Sequence, residues 1–125
     1  MPLKLKTLSI EMSAEGFEHV TFAMLVQSNK SLKLQGFGQC MSRWLADWTD
    51  GVLNLDHVDD ASLVYEAMCP REARVWVAFS PDDLKKLRDF RDFLEKRINR
   101  QLTLSATIFT LVESIYRANI RNTLA

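Results

Sequence analysis

The alternation of apolar and polar positions is sharpest between Arg74 and Arg117. Residues Arg74-Val75-Trp76-Val77-Ala78-Phe79 place Val75, Val77 and Phe79 on one face, and a period of two marks a strand buried on one side. Ser80-Pro81-Asp82-Asp83 follows as a helix start. Ser80 can cap, Pro81 suits the first helical position, and the two aspartates sit at the positive end of the helix dipole. Leu84, Leu87, Phe90, Leu94 and Ile98 then form an apolar stripe at helical spacing. Asn99-Arg100-Gln101 interrupts it. A second helix begins near Thr103, where Thr103 or Ser105 can cap, with Leu104, Ile108, Leu111, Val112 and Ile115 as its stripe.

A fainter copy of this order lies upstream. Residues 5–12 alternate, with Leu8, Ile10 and Met12 on one face and Thr7, Ser9 and Glu11 on the other. Ser13 can cap a helix carrying Phe17, Val20, Met24 and Leu25 to about Gln27. Gly16 and the Val20-Thr21-Phe22 run weaken that helix, so a strand over 19–26 is the competing reading. Ser28-Asn29-Lys30-Ser31 reads as a turn. Leu34, Phe37, Met41, Trp44, Leu45 and Trp48 recur at helical spacing until Asp50-Gly51 ends them. Setting Ser13 against Ser80 aligns the two strands at an offset of 67 residues.

The expected fold class is therefore α+β and mostly helical, with a two-stranded antiparallel ribbon. Residues 1–51 form a first, degenerate unit and residues 73–125 a second. Residues 52–72 join them, with Asp59-Asp60 capping a linker helix that carries Leu63, Val64, Ala67 and Met68 and stops at Cys69-Pro70. One strand and two amphipathic helices cannot cover themselves, so the strand needs a partner. In a tandem chain that partner is residues 7–12, with Ser9 opposite Trp76 and Glu11 opposite Arg74. Otherwise residues 74–79 pair with their own copy in a second chain; a homo-oligomer, as a dimer, is the expected assembly.

The alternating strand, the Phe79-Ser80-Pro81-Asp82-Asp83-Leu84 start of one helix and Leu102-Thr103-Leu104-Ser105-Ala106 at the start of the next resemble the ribbon-helix-helix (MetJ/Arc) family of DNA-binding proteins. The first helix is longer than that resemblance implies. In the family two strands form one ribbon that enters the major groove. The resemblance implies a sequence-specific double-stranded DNA-binding transcriptional regulator. It extends to regulators of conjugative plasmids, which include activators of transfer genes, and some plasmid-transfer members are tandem. It also implies base contacts from the outward strand positions, here Arg74, Trp76 and Ala78 with Thr7 and Ser9 in the first unit. Arg74 is the natural base reader, because a guanidinium bonds bidentately to guanine. Phosphate contacts fall to the start of the second helix, Thr103 and Ser105 helped by Arg100, and to its counterpart at Ser31 with Lys30 and Lys33. Ordinary capping explains those serines and threonines equally well.

Charge sharpens this picture without deciding it. Net charge is zero, which counts against indiscriminate nucleic-acid binding. Residues 1–70 hold five Lys/Arg against nine Asp/Glu, and residues 71–125 hold eleven against seven. The basic half carries the resemblance. The neutral total keeps a second class open, a protein-interaction module of antitoxin-like or relaxosome-accessory type.

Catalysis is not expected. His19 and His57 are the two histidines, and His57-Val58-Asp59-Asp60 lacks a metal-ligand frame. His19 reads as a surface or core-edge residue. Nothing in the pattern calls for a cofactor, a metal or a small-molecule substrate. Cys40 and Cys69 lack CxxC spacing and read as buried free thiols. Trp44 and Trp48 read as core or interface, and Trp76 as exposed. No apolar run approaches the ~18 residues of a membrane span, and the charged N-terminus lacks a signal-peptide core. A cytoplasmic protein without membrane contact is the expectation.

Overall fold

A computed structural model of the chain describes residues 5–53 and 70–124. Within them the order is β1 (Lys6–Met12), α1 (Ala14–Ser31), α2 (Phe37–Thr49), β2 (Ala73–Phe79), α3 (Pro81–Ile98) and α4 (Leu104–Leu124). The fold is α+β and mostly helical. Its one sheet among the described residues is the antiparallel pair β1–β2. The expected linker helix, with His57 and Cys69, lies outside the described residues.

The register is the tandem one: Thr7 faces Ala78, Ser9 faces Trp76 and Glu11 faces Arg74. Alternation explains why this register holds. Ile10, Met12, Val77 and Phe79 are buried, and a slip of either strand by one residue would turn its buried pair into solvent.

The helices confirm the offset residue by residue. Ser13 Oγ accepts from the Gly16 amide at 3.0 Å, and Ser80 Oγ accepts from the Asp83 amide at 3.2 Å. Each cap opens a helix of 18 residues. Each helix ends on a left-handed residue, Leu32 at φ 57° and Asn99 at φ 55°. Even the following turns agree. Lys33 N–H donates to Ser28 O, and Arg100 N–H to Glu95 O, both at 3.2 Å. The side chains of Ser28 and Glu95 then accept from the amides of Gln35 and Leu102. Every pair named here is 67 residues apart, as are Ser9 and Trp76. The ribbon is thus arranged about a pseudo-two-fold axis through its central pair.

The halves interlock rather than stand side by side. Helix α1 packs on α4 and α2 packs on α3, each across the division. One core contains Ile10, Trp44 and Leu45 from the first half with Phe79, Phe90 and Phe109 from the second. The strand alternative for residues 19–26 is excluded, because α1 runs through them. The turn expected at 28–31 is also corrected. Helix α1 continues to Ser31, the left-handed Leu32 ends it, and α2 starts at Phe37 instead of Leu34.

Helix α4 is buried more completely than its stripe implied. Thr107, Thr110, Glu113 and Ser114 are enclosed with the apolar residues, since α1 covers one side and α3 the other. The three hydroxyls donate to the carbonyls four residues back, at 2.8, 2.8 and 2.9 Å. Glu113 takes His19 Nδ1 and Arg117 Nε on its two oxygens. His19 is thus a core-edge histidine, stacked on Tyr116 at 3.8 Å between ring centroids.

Candidate nucleic-acid interface

A ribbon buried on one face must show the other to solvent unless something covers it. Here the outward row is Thr7, Ser9 and Glu11 on β1 with Arg74, Trp76 and Ala78 on β2. Thr7, Arg74, Trp76 and Ala78 are exposed, and Ser9 is half-buried. Trp76 shows 61% of its surface, a large value for an indole on a short ribbon.

Arg74 is held from two sides. Its Nη2 donates to Glu11 Oε1 across the strands, and its guanidinium lies over the Trp76 ring, 5.6 Å from the centroid. Half of its side-chain surface remains exposed, so donors are left for a ligand. Arg71 Nη1 approaches the other Glu11 oxygen at 3.5 Å. The hydrogen bond from Arg74, reinforced by the charges of Arg74 and Arg71, lowers the Glu11 pKa against a smaller opposing effect of burial. The stabilisation from this group is complete above the ordinary glutamate range and is lost as pH falls through the depressed value. Arg71 was not among the sequence candidates; it precedes the strand, where alternation carries no signal.

Two helix starts flank the ribbon. At α4, Thr103 caps as expected, its Oγ1 accepting from the Ala106 amide at 3.1 Å. Ser105 Oγ donates to Ser9 O at 3.4 Å, which ties this helix end to β1. Arg100 is exposed in the preceding turn. At α2, a Cβ on Gly38 would lie 3.5 Å from Ala78 O, so this helix end sits against β2.

The expected helix start at Lys30, Ser31 and Lys33 needs correction. Lys30 and Ser31 occupy the last turn of α1, where carbonyls rather than N–H groups point outward. Ser31 Oγ donates to Ser28 O and Lys33 O, and Lys33 lies in the turn. The amide-rich start of α2 is Gly36-Phe37-Gly38 instead. Applying the 67-residue offset to Thr103 and Ser105 points to Gly36 and Gly38. The offset is present in the sequence, but glycine has no hydroxyl to mark a cap.

No family model, no curated protein and no solved structure matches this chain.

Proposed function

We propose that the chain is a single-chain ribbon-helix-helix protein that binds double-stranded DNA as a sequence-specific transcriptional regulator. The observation that carries this reading is the pseudo-two-fold ribbon. Four of its six outward residues are exposed, among them a held arginine, and a helix start stands on each side. Such a ribbon fits the major groove, and helix N-termini suit backbone phosphates. Neither a cofactor nor a catalytic group enters this reading. The resemblance extends it to activation of transfer genes on conjugative plasmids. One chain supplies both strands, so the unit entering the groove is one copy.

Fluorescence anisotropy on labelled duplexes, including DNA upstream of the protein's own gene, tests it. Affinity should fall with salt at a log–log slope of about −0.9 per phosphate neutralised. Arg74→Ala should keep the fold and lose roughly 1–3 kcal/mol of discrimination between specific and random duplex. Absence of binding to any duplex at low salt would refute the reading.

A second reading, a protein-interaction module, draws on one feature. Leu32 and Leu34 in the α1–α2 turn are 89% and 96% exposed, where the other half has Asn99 and Gln101. Retained function in a Leu32→Asn/Leu34→Gln variant would set this second reading aside.

A further inference from the structure

The backbone of the ribbon is two-fold, but the chemistry on it is not. The pseudo-axis relates Thr7 to Arg74, Ser9 to Trp76 and Glu11 to Ala78, each 67 residues apart. Because the strands are antiparallel, the outward row has one charged end, Glu11 with Arg74, and one small end, Thr7 with Ala78. A palindromic DNA site offers the same base edges to both ends, and this ribbon cannot use them equally.

We propose that the ribbon reads a directional, non-palindromic duplex whose charged-end half carries a G·C pair while the half under Thr7 and Ala78 is loosely specified. This rests on the DNA-binding reading above and goes beyond it in naming the class of site and the orientation of the chain on it. Guanine presents N7 and O6 to a guanidinium, and cytosine presents an N4 amino group to a carboxylate. Arg74 and Glu11 supply this donor and this acceptor side by side. Arg74 is already oriented by Glu11 and the Trp76 ring, so little side-chain freedom remains to be lost on binding. The acid is not an obstacle to a polyanion here, since Arg74 and Arg71 both face it. At the other end, the Thr7 and Ala78 methyls can touch a thymine methyl, a contact that discriminates less. Trp76 opposite Ser9 extends the asymmetry to the centre.

The test is selection of binding sites by the intact protein from a pool of randomised duplexes, read by sequencing. The wild type should yield a one-ended motif with G·C under the charged end. Arg74→Ala should weaken the preference at that position alone, by roughly 5- to 150-fold in discrimination. A second variant, Thr7→Arg with Ala78→Glu, places a charged pair at the other end. Both positions are exposed, and retention of the wild-type circular dichroism spectrum and melting transition checks folding. This variant should convert the motif to an inverted repeat with G·C at both ends. A symmetric inverted repeat selected by the wild type, or an unchanged motif from the double variant, overturns directional reading and leaves DNA binding standing. Failure to retain any duplex overturns both.

Discussion

Helices α1 and α3 occupy equivalent places, yet they hold their partner helices by opposite chemistry. Helix α1 meets α4 through a polar seam, with His19 and Arg117 on the Glu113 carboxylate and Tyr116 stacked on the imidazole. Helix α3 meets α2 through rings, with Trp48 5.2 Å from Phe90 and 5.9 Å from Phe93 between centroids. The residues equivalent to His19 and Phe90 are Lys86 and Ala23, so neither seam echoes the other. The shared architecture therefore resides in local devices that start, stop and pair the backbone. These are two serine caps, two left-handed helix ends and two strands of seven residues. Side chains are free to diverge where only volume and polar satisfaction constrain them.

The comparison breaks first if the halves can part. A fragment of residues 70–125 loses the strand that pairs β2 and the helices that cover α3 and α4. It should show no cooperative thermal transition by circular dichroism, whereas the full chain does. A folded fragment dimer would mean that the second half can pair with itself and that the interlocking is dispensable.

Next in size is the aromatic seam. Phe90 is fully buried, so Phe90→Ala should cost about 3–5 kcal/mol in urea unfolding. The polar seam should be weaker. His19→Ala leaves Glu113 buried with Arg117 still bonded, at a cost of about 1–3 kcal/mol. A larger loss for His19 than for Phe90 would reverse the ranking and make the buried carboxylate the main lock between the halves.

How much of this was legible depends on whether the deciding signal is local. Strand alternation and the Ser-Pro-Asp-Asp start are local, and they led to the strands, to α3 and to a register that matches at Ser9–Trp76 and Glu11–Arg74. The end of α1 was not legible, because nothing about Leu32 announces a left-handed residue; Asn99, which favours that conformation, did mark the end of α3. The burial of Glu113 and Thr110 was equally hidden. It follows from α1 and α3 closing on both sides of α4, a tertiary fact that an amphipathic stripe does not encode. On the outward face of the ribbon, Arg74 and Trp76 stood out by alternation. The α2 start did not, because glycine carries no capping side chain to recognise.

The smallest predicted effect isolates the backbone device from its side chain. Leu32 and Asn99 both close 18-residue helices at nearly the same positive φ, and each cap amide bonds back to the carbonyl four residues earlier. An L-residue with a branched apolar side chain is strained there by Cβ against the following carbonyl, whereas asparagine tolerates the conformation. Leu32 is almost wholly exposed, so little packing is lost when it is replaced. Leu32→Asn should therefore stabilise the chain by up to ~1 kcal/mol, and Asn99→Leu should destabilise it by a similar amount. Paired melting curves of the two variants measure both signs. If Leu32→Asn instead destabilises, the leucine side chain must be buried against something in solution. The α1–α2 turn would then be an occupied surface rather than a strained cap, and the two turns would differ in role as well as in residue.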